Sequence, residues 1–421
     1  MMIRDELKKY RDIFSGEIRD HILPYWIKNV LDPDRRDWFG EVDLEGRPIK
    51  EAGKGCVLIT RILWTFSAAA RVFADECYLD LARATYEIVE TQFADRDQRG
   101  YFMSVSADGQ PVDDTKHTYA QGFVVYALCE LYRIDPSDQL LETIRKQYDV
   151  LEEKTKDSSG PGYFESFTRQ WERITENRMA DHNEPKSMNT HLHMLESYTA
   201  LYRVWRDDSV KQRLAEFINI FLEHIVGDDH HFRIFFEEDF SESEKSKGIR
   251  SFGHDIEGAW LLAEAAEVLG DVEMTDAVNR TAVQMADAVE CVGQDKDGGL
   301  FLGSTREGSH VQTNKHWWIQ AETLVGFMNA YQITGNPKYW NNVKLAWRFI
   351  DQHVIDHEHG EWFAKVNRSG VPFRVQLADD PFPFYRVDRK VDAWKCPYHN
   401  GRACLEMMHR IDSQLNQHDR Q

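Results

Sequence analysis

WFGEVDLEGRPI, residues 38–49, opens on aromatics, alternates briefly and then places an acidic residue before glycine, the pattern of a β-hairpin whose turn needs a positive φ. The same pattern stands without a gap at 101–112 (YFMSVSADGQPV), 300–311 (LFLGSTREGSHV) and 362–373 (WFAKVNRSGVPF). Gly46, Gly109, Gly308 and Gly370 take the turn position. The first two are 63 residues apart and the last two 62, while the 199 residues from Gly109 to Gly308 make close to three such steps. The spacing therefore predicts two degenerate copies near 165 and 235, where GYFESFTRQWE (162–172) and FRIFFEEDF (232–240) stand. Six units result.

After each hairpin comes one pattern of helical period and then a second, as in GCVLITRILWTFSAAARVF followed by YLDLARATYEIVETQF. A helix pair cannot bury its apolar face alone, so the pairs must stack. Six pairs give twelve helices and an all-α fold, an (α/α)6 barrel with short β-hairpins between helix pairs, spanning 1–421 as a single domain. An open superhelical solenoid is the alternative. Small residues on the first helices (Ala68 to Ala70, Ala263, Ala265, Ala266) favour closure, which needs close packing at the centre.

With 421 residues, 42% hydrophobic and 12% aromatic, the chain can bury a large core. A formal net charge of −20, spread along the whole chain, argues against nucleic acid and anionic membrane as partners. Charges run through the N-terminal segment where a signal peptide would need an apolar stretch, and no segment approaches about eighteen consecutive apolar residues. A cytoplasmic protein is expected. The six cysteines (56, 77, 129, 291, 396, 404) form no C-x-x-C pair and no metal-finger spacing, and read as reduced thiols.

Chemically unusual residues gather at the start of the first helix of each unit. Unit one carries Arg61, unit two Tyr119 and Gln121 in KHTYAQGF, unit three MNTHLHMLESY, unit four SFGHDIEGAW, unit five NKHWWIQAE and unit six AWKCPYHNGR. In a closed barrel these six starts converge on one end and form one pocket. Asn189, His193 and Glu196 share a helical face, with His191 pointing away; His254 and Glu257 share another, so that the carboxylate can fix the imidazole's tautomer. Arg61, a permanent cation in an apolar helix, calls for an anion in the barrel mouth. Trp317, Trp394 and Tyr119 offer faces for a sugar ring, whereas Trp318 reads as a core aromatic. The HLH of 191–193 has the wrong spacing for a metal site, and there is no HExxH; no metal is expected. His230, His231 and the HEHGE of 357–361 read as solvated loop histidines.

NTHLHMLESYTALY, GHDIEGAWLL, KHWWIQAE and KCPYHNGRACLEM, within a match running from about residue 10 to 410, resemble the N-acylglucosamine 2-epimerase superfamily. WKCPYHN makes the resemblance closest to its cellobiose 2-epimerase branch. The resemblance implies a cofactor-free isomerase that inverts carbon 2 of the reducing-end sugar of a β-1,4-linked disaccharide: cellobiose, lactose or mannobiose. It further implies that His254 and His399 are the paired acid/base groups and that Arg61 stabilises the enolate oxygen. His193 and Asn189 would bind the sugar or help open its ring, Glu257 would orient His254, and Tyr119, Trp317 and Trp394 would line the site. The charged segment 168–187 adjoins the site and is where the resemblance says least about substrate preference. A monomer or weak homodimer is expected, with the disaccharide as its small-molecule partner.

Three other readings stay open. A mannose isomerase of the same superfamily would share the enediolate and return the proton to carbon 1. An (α/α)6 glycosidase would use two carboxylates from Asp255, Glu257 and Glu322, leaving the histidine pair idle. A non-catalytic sugar- or protein-binding barrel gives the pair no role at all.

Overall fold

The computed structural model describes residues 2–175, 183–244, 246–376 and 385–420. Within segment 168–187, positions 176–182 lie outside the described residues. Six helices form a closed inner ring: Cys56–Phe73, Thr118–Tyr132, Met188–Val204, Phe252–Leu269, Trp317–Thr334 and Tyr398–Arg420. Each packs against the next, and the last packs against the first. Outside them run Glu76–Ile88, Asp138–Val150, Asp208–Ile220, Val272–Gly293 and Pro337–Phe349. The sixth outer position is taken by the chain's first helix, Met2–Gly16 with helical turns continuing to Val30, which lies against Tyr398–Arg420. The twelve-helix (α/α)6 barrel is thus closed by its two ends; Arg11 donates to Asp412 at 2.7 Å and Trp362 Nε1 to Glu17 at 2.7 Å.

Composition explains which helices are inside. In Cys56–Phe73 every residue from Cys56 to Ala70 is buried, an all-round apolar surface that only a helix surrounded by others can carry. It is also the one helix among the described residues with the length and hydropathy of a membrane span, and it is 83% buried. The outer helices are one-sided and begin at side-chain caps: Asp75, Ser137, Asp207, Asp271 and Asn336 each accept a backbone N–H of the first turn. Short inner-to-outer turns put these caps at one end of the barrel and all the hairpins at the other.

At the hairpin end the short strand of two or three residues entering each inner helix pairs antiparallel with the hairpin of the next unit: Lys54–Gly55 with Ser104–Val105, Lys116–His117 with Ser166–Phe167, and so on around the ring. The circuit closes where Val391 pairs with Val42. Both degenerate hairpins are present. Trp171 donates its N–H to Thr168 O and Phe240 to Glu237 O, the same three-residue step that Gly46, Gly109, Gly308 and Gly370 make, at φ of 68° and 64°. Tertiary contact holds these positions in the left-handed region; Trp171 Nε1 reaches Gln98 O at 2.7 Å and the Phe240 ring packs on Phe236.

The ring also repeats an ion pair. A basic residue at each inner-helix entry meets an acid from the turn before the hairpin: Lys54 with Asp37 (2.5 Å), Lys116 with Asp95 (3.0 Å), Lys186 with Asp157 (2.7 Å), Arg250 with Asp229 (2.9 Å), Lys315 with Asp297 (2.7 Å) and Lys395 with Glu361 (2.5 Å). The five lysines are buried. A buried ammonium without its acid would be costly, so each pair locks a helix entry to a turn. Among the cysteines, Cys56, Cys129, Cys396 and Cys404 are buried, Cys77 and Cys291 exposed, and all six are free thiols.

Candidate active site

Counting seven residues on from each entry cation gives Arg61, Phe123, His193, Glu257, Glu322 and Arg402. Because all six inner helices start at the same level, these side chains meet around the barrel axis. The Arg61 guanidinium lies 4.4 Å from the Phe123 ring centre, the Phe123 and His193 rings are 5.0 Å apart, and Arg402 Nη2 is 2.7 Å from Glu257 Oε1 and 2.6 Å from Glu322 Oε1. Above this layer opens a cavity of about 270 Å³ at the hairpin end. All nine residues singled out in the sequence line it: Arg61, Tyr119, Asn189, His193, His254, Glu257, Trp317, Trp394 and His399. The N-termini of the inner helices surround it, and their dipoles favour negative charge there.

The histidines are held differently. Nδ1 of His399 lies 2.6 Å from Glu322 Oε1, and that of His193 lies 3.0 Å from Glu196 Oε2. Glu257 does not orient His254, contrary to their shared helical face: it turns across the barrel to Arg402, and Nδ1 of His254 meets Ser251 Oγ at 2.7 Å. The closed ring brings the guanidinium of a facing helix within reach of Glu257, and it is the stronger partner. Burial holds His193, His254 and His399 below the ordinary imidazole range, with Arg61 and Arg402 adding to the effect at His399. Burial thus favours the neutral ring in all three; the carboxylates at His399 and His193 accept Nδ1–H and leave Nε2 basic, whereas Ser251 Oγ can accept from or donate to Nδ1 of His254.

The carboxylates are set apart by the same field. Burial would raise Glu196, but Arg402, His193 and Tyr398 outweigh it and hold it down to about 2. Burial and the adjacent Glu322 push Glu257 up to about 8, and burial raises Glu322 too. Sharing one guanidinium nitrogen away from water, Glu257 and Glu322 each disfavour the ionised form of the other. Donor atoms of Glu257, Glu322 and His399 lie within 4.8 Å of one another, a spacing that suits a metal ion, yet Arg402 Nη2 already sits between the two carboxylates.

Arg61 stands otherwise. Its Nη2 donates to Tyr119 OH at 2.8 Å, it lies 4.4 Å from the Phe123 and 4.7 Å from the Tyr398 ring centre, and among the described residues no carboxylate pairs with it. Three sequence readings are corrected. Trp318 is not a core aromatic: it lines the cavity, its ring centre 4.8 Å from that of His254 and 5.8 Å from that of His399. His231 is not solvated, being buried with Nδ1 2.7 Å from Asp255 Oδ2, an acid that folding brings over the loop. The third is the Glu257–His254 pairing given above. His191 does point away, accepting Tyr163 N–H and holding Ser187 O. Sequence reading assigned no role to Arg402, Ser251, Glu165, His316 or Tyr385, the last four of which line the cavity. The seven-residue register from each entry cation would have singled out Arg402 and Glu322.

The N-acylglucosamine 2-epimerase family model matches residues 38–385. The cellobiose 2-epimerase of Bacteroides fragilis is 35% identical over 407 residues, 96% of this chain and 99% of that one. That of Ruminococcus albus is 32% identical over 399 residues, 94% and 97% of the two chains. The solved structure of cellobiose 2-epimerase from Bacillus thermoamylovorans B4167 superposes with a TM-score of 0.87 at 35% identity, covering 96% of this chain and all of that one. A cavity ringed by buried histidines and by an arginine that meets no carboxylate among the described residues, at the mouth of an (α/α)6 barrel, together with full-length similarity of this degree, means that the chain belongs to the N-acylglucosamine 2-epimerase family and is a carbohydrate epimerase.

Proposed function

We propose that the protein inverts carbon 2 of the reducing-end sugar of β-1,4-linked disaccharides, converting cellobiose to glucosyl-mannose, with lactose and mannobiose as related substrates. The observation that carries this reading is the pair His254 and His399: two buried imidazoles on different inner helices, each with Nδ1 engaged, both against one indole, Trp318. Carbon 2 beside an open-chain aldehyde loses a proton to the unprotonated Nε2 of one imidazole and receives one on the opposite face from the other, which enters the turnover as imidazolium; exchange with solvent then resets the pair. The enediolate formed in between carries its charge beside Arg61 and the inner-helix N-termini. His193, with Glu196 behind it, and Asn189 serve ring opening and binding, while Tyr119, Trp317, Trp318 and Trp394 offer faces to the sugar rings. Every proton is carried by a side chain, and no step calls for a metal or cofactor.

The glycosidase reading loses its carboxylates. Asp255 is tied to His231 and to Phe232 N–H, while Glu257 and Glu322 converge on Arg402 instead of flanking a bond to be cleaved. Incubation with cellobiose in deuterated water tests the proposal directly. The epimer with deuterium at carbon 2 is the expected product. A ketose would mark an isomerase, free monosaccharides a glycosidase, and recovered unlabelled cellobiose a binding barrel.

A further inference from the structure

Arg402 is 1% exposed and lies outside the cavity wall, so it touches no substrate. It nevertheless holds the acids behind two site histidines. Its Nη2 binds Glu322, whose Oε1 engages His399; its Nη1 binds Glu196, whose Oε2 engages His193; and Nη2 also takes Glu257, in the cavity wall. Tyr398 OH bonds to the same Glu196 oxygen, and the guanidinium lies 4.8 Å from the Trp260 ring centre. Among the described residues no other cation pairs with these three carboxylates; Arg61, one helix round, is turned to Tyr119.

We infer that Arg402 is a positioning residue for the epimerisation, the cation that holds the Glu322 and Glu196 carboxylates in place so that each fixes its histidine with Nδ1–H toward the acid and Nε2 free. The inference rests on the two-histidine reading given above. Three buried carboxylates converge on this one guanidinium, so its charge offsets only part of theirs. Without Arg402 the acids take up further protons, Glu322 ceases to accept from His399, and the imidazole is released to the wrong tautomer. The groups that share this field are Arg61 on Cys56–Phe73, Tyr119 and Tyr126 on Thr118–Tyr132, His193 and Glu196 on Met188–Val204, His254 and Glu257 on Phe252–Leu269, Glu322 on Trp317–Thr334, and Tyr398 and His399 beside Arg402 itself. Removing the cation raises the proton affinity of every acid and imidazole among them. The acid limb of the rate profile must then move to higher pH.

The test is the pH profile of cellobiose epimerisation by Arg402→Met, Arg402→Lys and the double variant Arg402→Met with Glu257→Gln. Arg402→Met should lose about a hundredfold in kcat with KM little changed, and its acid limb should rise by about one pH unit. Arg402→Lys, which keeps the charge, should hold the limb near the wild-type position. The double variant, which removes an acid along with the cation, should bring the limb back and melt at higher temperature than Arg402→Met. Should Arg402→Met fail to fold, recovery of folding in the double variant supports the charge-balance role and continued failure overturns it. An unshifted limb in folded Arg402→Met also overturns it, whatever the loss of rate. Absence of carbon 2 labelling by the wild-type protein would instead sink the epimerase reading itself, before any variant is compared.

Discussion

Nδ1 of His399 lies 2.6 Å from Oε1 of Glu322, which stands on the neighbouring inner helix and outside the cavity wall. An ionised carboxylate there accepts Nδ1–H, keeps Nε2 as the basic nitrogen and stabilises the imidazolium that forms when carbon 2 gives up its proton. Glu322→Gln preserves the shape, but its amide can donate to Nδ1 and select the opposite tautomer. The expected loss is on the order of a hundredfold or more in kcat, with KM close to the wild-type value. Steady-state kinetics on cellobiose checks it. An effect confined to KM would place Glu322 in substrate binding instead.

Arg61→Lys should be far from conservative. The guanidinium lies 4.4 and 4.7 Å from the Phe123 and Tyr398 ring centres, donates to Tyr119 OH at 2.8 Å and, among the described residues, has no carboxylate to neutralise it. A planar donor anchored by Tyr119 and packed against two rings presents its remaining N–H groups in a fixed direction; an ammonium on a flexible stem does not. Loss of one oxyanion donor is worth about 3 kcal/mol of transition-state stabilisation, so kcat should fall by about two orders of magnitude. Turnover near wild type in Arg61→Lys would give the arginine a packing role.

How far the sequence could be read depended on whether an interaction is local. The glycine turns at 46, 109, 308 and 370 set the repeat, and the repeat placed the two copies that lack glycine; at Trp171 and Phe240 the positive φ is held by tertiary packing, which residue type does not announce. Site residues were legible wherever a helix start repeated, because closure converts equal registers into convergence. Partnerships were not. Glu322 and His399 are separated by 77 positions, Arg402 and Glu257 by 145, and only the closed ring brings them together. The local rule of residues three apart gave Glu257 to His254, and the ring overrode it. His231 failed for the same reason, since its partner Asp255 comes from the next inner helix.

His191 sits five residues after Lys186, as Gln121 follows Lys116 and Gln320 follows Lys315, and all three side chains hold the backbone of the hairpin entry. Its Nε2 accepts Tyr163 N–H at 3.0 Å and its Nδ1 lies 2.7 Å from Ser187 O, so the ring must be neutral; burial lowers its pKa to about 4. The folded state therefore binds the proton less readily than the unfolded one. Stability from this site is complete above pH of about 6.5, declines as pH falls toward 4 and is lost below, a contribution of about 3 kcal/mol at most. His191→Gln, which keeps an acceptor for Tyr163, should flatten the fall in denaturant stability between pH 7 and 4. An unchanged slope would assign the acid sensitivity to other groups.

The histidine pair gives the most demanding prediction. With His254 and His399 serving opposite faces of carbon 2, each is the base for one epimer and, once protonated, the acid for the other. Removing either leaves a proton that can be taken but not returned with inversion, so net conversion should stop in both directions. The two losses should not add, as expected of groups acting as a unit. The surviving imidazole still reaches its own face, and solvent deuterium can replace the proton it removes. His254→Asn and His399→Asn should therefore each label carbon 2 of one epimer only, cellobiose in one variant and its mannose-ended epimer in the other, with almost no interconversion. Labelling of the same epimer by both variants would mean that the two imidazoles share a face. Substantial epimerisation by His399→Asn, with only a lowered melting temperature, would make His399 a buried structural histidine held by Glu322, and the two-base mechanism would fall.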